Sequence, residues 1–229
     1  MKSPYGLIFD VDGVIADTEA VNARASIQVF ADLFGLENVR REDFEDGLGR
    51  GAEAYILAAA AQHGFEMTTA QVAAATTARQ DTFLRMLAAE PLPAFPGVLE
   101  LMSAALSSDE FQVAIATSST RLKSEAVLKS TGVPYWRMVY VNGDDVTRKK
   151  PDPELFLIAS QRIGVPPARC VVIEDAPNGV QAARAAGGAC IAVTNSTTAT
   201  KLSHADLIVD DLSRIDLQDL VDIIGRPSL

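Results

Sequence analysis

Short apolar runs alternate with stretches of helical spacing over much of the chain. Tyr5 to Phe9, Gln112 to Ala116, Met138 to Val141, Cys170 to Ile173, Cys190 to Val193 and Leu207 to Val209 read as strands. Gly97 to Ser107, Arg121 to Ser130, Pro153 to Ile163 and Gly179 to Ala186 read as the helices between them. Strands that alternate with helices in this way predict an α/β protein with a parallel sheet and crossover helices. Asp152 before Pro153 is the expected N-cap of a helix with a first-turn proline, and Gly187-Gly188 is an expected helix stop.

The interval from Thr18 to about Leu92 breaks the rhythm. It holds no β-branched run and is rich in alanine at helical spacing, which predicts an all-helical insert with helices Thr18 to Phe34, Ala52 to His63 and Thr69 to Ala89. Pro91-Leu92-Pro93-Ala94-Phe95-Pro96 is a stiff return linker. The expected domains are a core of residues 1–16 and 94–229 and an insert of residues 17–93.

Composition narrows the class of function. With 229 residues, 48% hydrophobic and 22% charged, the chain has the balance of a folded globular protein with one large domain or a main domain and a smaller insert. No stretch approaches the roughly 18 apolar residues of a membrane span, and Met1-Lys2-Ser3-Pro4 runs straight into the first apolar run. Neither a span nor a signal peptide is expected, and a cytoplasmic location is. Cys170 and Cys190 each open an apolar run and are expected to be buried free thiols, since their spacing fits no zinc site. Twenty basic against thirty acidic side chains give a net charge of -10, which repels nucleic acid and anionic membranes alike. An anionic ligand therefore requires local positive charge, from a metal ion or a few placed Lys and Arg.

Polar groups suited to such a ligand collect at the strand ends. Asp10 and Asp12 follow the first strand, two residues apart, and in extended chain project to one side. Thr117-Ser118-Ser119 ends the second strand just before a helix, where backbone N–H groups bind anions; simple N-capping by either serine is the alternative. Lys150 stands before Pro151-Asp152-Pro153, and Glu174-Asp175 follows the fourth strand as a carboxylate pair suited to magnesium. In an open α/β sheet the ligand crevice lies beyond the carboxyl ends of the strands, where all of these fall.

The ordered set Asp10-Val11-Asp12-Gly13-Val14, Thr117, Lys150 and Glu174-Asp175 resembles the four motifs of the haloacid dehalogenase superfamily of phosphotransferases. The helical insert resembles the cap of its subgroup containing β-phosphoglucomutase and many small-molecule phosphatases. The resemblance implies a Rossmann-like parallel-sheet core with an inserted helical cap domain, hydrolysis of a small phosphate monoester such as a sugar phosphate, and Mg2+ as cofactor. It implies that Asp10 is the nucleophile forming an aspartyl phosphate and that Asp12 protonates the leaving oxygen and then takes a proton from water. Asp10, the Asp12 main-chain carbonyl and Asp175 would hold the metal, with Glu174 in its shell directly or through water. Thr117, Ser118 and Lys150 would hold the phosphate oxygens. Gly49 and Arg50, in a loop resembling the cap specificity loop, and Arg121 are candidates for substrate contact, set against ordinary surface positions.

The remaining members of the superfamily are distinguished by single residues. Asp12 argues against carbon-halogen chemistry, and the absence of any lysine between Lys2 and Lys123 argues against a cap lysine that forms a Schiff base. At the places where the mutases carry a His, an Arg and a Lys in the cap, this chain has Asn22, Ala52 and Gln80, which favours a phosphatase over a phosphosugar mutase. A non-catalytic binding module is a further alternative, opposed by the presence of every motif. A monomer or small homo-oligomer is expected. His63 is expected to end a helix and Trp136 to pack against the fold, neither with a catalytic role.

Overall fold

The computed structural model describes residues 4–47 and 51–224. In chain order its elements are β1 (Tyr5–Phe9), α1 (Thr18–Phe34), α2 (Ala52–Gln62), α3 (Thr69–Ala89), α4 (Val98–Leu106), β2 (Phe111–Ala116), α5 (Arg121–Ser130), β3 (Val139–Val141), α6 (Glu154–Ile163), β4 (Cys170–Glu174), α7 (Pro177–Ala185), β5 (Ala189–Val193), β6 (Leu207–Val209) and α8 (Leu217–Ile224), with short 3-10 turns between some of them. They fall into two compact units, residues 1–17 with 92–229, and residues 18–91. Among the described residues no helix is long and apolar enough to cross a membrane.

The larger unit is built on a six-stranded parallel sheet in the order β3-β2-β1-β4-β5-β6. That order reverses direction between β1 and β4, the neighbouring strands whose carboxyl ends form the ligand crevice of a doubly wound sheet. Residue by residue, Phe9 pairs with Ile115 of β2 and Ile173 of β4, so the ends of these three strands lie side by side. β4 is buried along its whole length, as a central parallel strand covered on both faces must be. On one face Ile8, Ala114, Val172, Cys190 and Ala192 pack with Phe156, Ala159 and Val180 of α6 and α7, while α4 and α8 lie against β2 and β4. Both cysteines are buried and free.

The smaller unit is helical. α1 packs on α3, and α2 on the 3-10 segment Arg41–Gly47. Its core joins Phe30, Phe44, Tyr55 and Ile56, with Phe44 and Tyr55 stacked at 4.6 Å. Thr68 and Gln71 form a reciprocal capping box that starts α3.

Four details differ from the sequence pattern. α8 is an additional helix, started by Asp216, whose Oδ1 accepts from the N–H groups of Gln218 and Asp219. α7 begins at Pro177 rather than Gly179, with proline in the first turn where its missing N–H costs nothing. α6 begins at Glu154, with Pro153 ahead of it; Asp152 Oδ1 still accepts the Glu154 N–H at 3.0 Å. Trp136 is 73% exposed and rests edge-on against Tyr135 instead of packing into the core, because the 3-10 turn Tyr135–Arg137 carries it outward. His63 does end α2, and its Nε2 lies 2.7 Å from Asp43 Oδ2.

Candidate active site

Asp10 and Glu174 stand at the ends of adjacent strands, and the Asp10 N–H extends the ladder by donating to the Ile173 carbonyl. This register, together with Asp175 one residue on, brings three buried carboxylates together: ligand oxygens of Asp10, Glu174 and Asp175 lie within 4.8 Å of one another. Lys150 reaches into the cluster with its side chain almost fully buried, its Nζ 3.1 Å from Asp10 and 2.5 Å from Glu174. Lys150 is therefore a buried counter-charge to the cluster.

The electrostatics follow from burial. Desolvation drives the Asp10 carboxyl up to about 7, against the pull of Lys150 and with a further push from Glu174 and Asp12. Burial, then Glu174 and Asp10, hold the Asp175 carboxyl well above its usual range. For Lys150, burial disfavours the charge, but Asp10 and Glu174 outweigh it and raise its affinity for the proton. Ionised together, the three carboxylates would outnumber the one ammonium beside them, and a buried charge without a partner is costly, which is why Asp10 and Asp175 hold their protons to higher pH. Asp10 Oδ1 is buried with the Lys150 ammonium 3.1 Å away, an ion-pair contact without good hydrogen-bond geometry. A divalent, oxygen-seeking ion such as magnesium fits that deficit in charge and in ligand type.

Two glycines make room for this cluster. A Cβ on Gly13, whose φ is +74°, would meet Asp175 Oδ2 at 1.9 Å, and one on Gly179 would meet Glu174 Oε1 at 1.8 Å. Glu174 is fixed further by the N–H groups of Asp175 and Ala176, both donating to Oε2. The Ser196 hydroxyl donates to Asp175, and Asn195 Nδ2 to the Gly13 carbonyl at 2.9 Å. Residues 195 and 196 carry no sequence signal of their own; they reach the site because β5 lies beside β4.

Thr117 is buried at the end of β2, its N–H donating to Val141 and its Oγ1 accepting from Ser119 N. Ser118 is half-buried on the same loop, with its carbonyl packed against Gly143. Neither serine caps α5, whose N-cap is Thr120. The Asp12 carboxylate is not part of the buried cluster: Ser119 Oγ donates to its Oδ2 at 2.5 Å, and Lys123 Nζ lies 2.8 Å from its Oδ1. Lys123 drew no attention in the sequence, where 111 residues separate it from Asp12. The Arg121 guanidinium pairs with Glu125 and covers the Tyr140 ring at 5.4 Å. Gly49 and Arg50 lie outside the described residues.

A family model described as haloacid dehalogenase-like hydrolase matches residues 6–187. Protein SUPPRESSOR OF QUENCHING 1, chloroplastic, of Arabidopsis thaliana is 36% identical over 94% of this chain, which spans only 20% of that protein. Protein CbbY of Rhodobacter capsulatus is 33% identical, covering 95% of this chain and 97% of its own length. The fructose-1-phosphate phosphatase YqaB of Escherichia coli is 34% identical over 80% of this chain and 92% of its own length. Among solved structures, CbbY of Rhodobacter sphaeroides in complex with xylulose-(1,5)bisphosphate superposes with a TM-score of 0.82 at 28% identity, covering 95% of this chain and 99% of that chain. The chain belongs to the haloacid dehalogenase-like hydrolases, and its fold and relatives mark it as a phosphatase of that family.

Proposed function

We propose that the protein hydrolyses a small sugar phosphate with magnesium as cofactor, through a phosphoryl group carried on Asp10. The observation that carries this reading is the buried Asp10, Glu174 and Asp175 cluster with Lys150 as its one close ammonium. Asp10 attacks phosphorus while the ester oxygen departs with a proton from Asp12. Asp12, now a carboxylate, then takes a proton from the water that attacks the aspartyl phosphate and releases inorganic phosphate. Thr117, Ser118 and Lys150 hold the phosphate oxygens, with Lys150 supplying the local positive charge that a chain of net charge -10 lacks. The metal would be held by Asp10, the Asp12 main-chain carbonyl and Asp175, with Glu174 in its shell directly or through water. Bound there, the ion supplies positive charge that offsets repulsion between the attacking carboxylate and the phosphate. Substrate choice is assigned to the helical unit, as the family resemblance implies, with Gly49 and Arg50 as the residues to test first there and Arg121 of α5 as a further candidate in the larger unit.

A sugar phosphate is favoured by the fructose-1-phosphate phosphatase and by the CbbY complex with xylulose-(1,5)bisphosphate. The test is inorganic phosphate release from a panel of sugar phosphates, each with magnesium and with a chelator. Release with magnesium alone supports the reading. Conversion of β-glucose 1-phosphate to the 6-phosphate in the presence of a bisphosphate activator, without net release, would instead establish a mutase.

A further inference from the structure

The Asp12 carboxylate meets donors from the loop after the neighbouring strand β2 and from the helix that follows it. Ser119 Oγ donates to Oδ2 and Lys123 Nζ pairs with Oδ1, so one oxygen meets a donor from the loop after β2 and the other a donor from the first turn of α5. Ser119 is itself tied down, its N–H donating to Thr117 Oγ1 at 3.1 Å. The Lys123 and Asp12 side chains are 23% and 30% exposed, so water screens the pair only in part. Two donors on two oxygens fix the plane of a carboxylate as well as its position.

The start of α5 is an unusual place for that lysine. Helix N-termini favour acidic side chains, because the first N–H groups carry uncompensated partial positive charge. The first turn of α5 has no acid, and Arg121 and Lys123 stand there instead. Helix stability does not select a cation at this position. Two carboxylates stand in front of the helix: Asp144 Oδ2 accepts the Arg121 N–H at 2.9 Å, and Asp12 is the one that Lys123 meets. The partnership follows from the sheet: β1 and β2 are paired in parallel through Phe9 and Ile115, so the chain after Phe9 runs beside the chain that enters α5.

We propose that Lys123, with Ser119, is a positioning residue that holds the Asp12 carboxyl in the orientation from which it passes a proton to the leaving oxygen. This rests on the acid and base role proposed for Asp12. A positioned acid matters most where the departing oxygen is strongly basic, and little where it leaves readily as an anion. Loss of Lys123 therefore discriminates between esters by the acidity of their leaving group, which neither loss of folding nor loss of phosphate binding does.

The experiment compares kcat/KM with magnesium for p-nitrophenyl phosphate and phenyl phosphate, two esters of similar shape, in the wild type and in Lys123→Met, Lys123→Arg and Ser119→Ala. Lys129→Met, on the same helix but paired with Glu125, serves as control. The expected result is a loss with Lys123→Met of about tenfold to a hundredfold for phenyl phosphate, within the range of acid-base catalysis, and a much smaller one for p-nitrophenyl phosphate. Lys123→Arg should restore part of the difference, and circular dichroism should match the wild type. Equal losses on both esters would overturn the positioning role while leaving the phosphatase intact. A wild type that releases phosphate from neither aryl ester would overturn this inference, and one that also releases none from the sugar phosphate panel would overturn the proposed function.

Discussion

Lys150 shows how much a single side chain carries at this site. It is the close ammonium among three buried carboxylates, and removing one partner of a buried ion pair leaves charge uncompensated. Lys150→Met is expected to cost about 3–5 kcal/mol of stability in the metal-free protein, read as a lowered urea midpoint. The Asp10→Asn variant should behave in the opposite way: it removes a carboxyl whose ionisation burial disfavours, so the protein stays folded by circular dichroism while phosphate release disappears. Retained turnover in Asp10→Asn would refute the nucleophile. Gly13→Ala places a methyl group against Asp175 at a positive φ, and should weaken magnesium binding measured by calorimetry at least tenfold. These residues could be picked out in the chain because each belongs to a short local motif. Ser196 and Lys123 could not, because what singles them out is their partner, 21 and 111 residues away.

Among the elements, α8 and the pair formed by α2 with the 3-10 segment Arg41–Gly47 behave differently in sequence and in space. α8 carries its own start signal in Asp216-Leu217-Gln218-Asp219, where Asp219 returns the favour by accepting from the Asp216 N–H at 2.9 Å. Its buried Leu220 and Ile223 sit on one face, and Leu220→Ala should cost about 3 kcal/mol as a shift in thermal unfolding. The helix was readable from that box and spacing, but eight residues near the end of the chain are a short sample for periodicity. The 3-10 segment is tied to the end of α2 by Asp43 and His63. The hydrogen bond from His63, then the Arg40 N–H, lower the Asp43 carboxyl below its usual 3.8. A depressed carboxyl adds stability above that value and loses it as pH falls through the folded one. Asp43→Asn should therefore melt below the wild type at neutral pH, and the gap should close as the solution is acidified below 3.8.

At the scale of the whole molecule, folding assembles a site whose charge does not balance internally. Any ion that binds the native state and not the unfolded chain stabilises the former, by about 2.7 kcal/mol at a hundred times its dissociation constant. Magnesium should raise the melting temperature of the wild type, and a chelator should reverse it and stop phosphate release. In Asp175→Asn the rise should be much smaller, a result that thermal scans with and without the ion would show directly. The two buried thiols are held protonated, with Cys170 pushed up to about 12 by desolvation and Cys190 raised well above its usual value by burial.

Local pattern was enough to find all six strands, the helical insert and the four groups of polar residues at strand ends, because apolar periodicity, proline and glycine act over a few residues. It was also enough to relate the chain to a family, since each motif is a short run. It could not carry the order of the strands, which in a parallel sheet is set by crossovers of dozens of residues and by which faces bury each other. From that order come the meeting of Asp10 with Glu174 and Lys150, the grip of Ser119 and Lys123 on Asp12, and the approach of Ser196 to Asp175. Nor could it tell that Trp136 faces solvent, because an aromatic residue in a turn looks the same in sequence whether it turns in or out. The residues proposed to do the chemistry lie in short local motifs, and the partners that surround them were chosen by packing across the sheet.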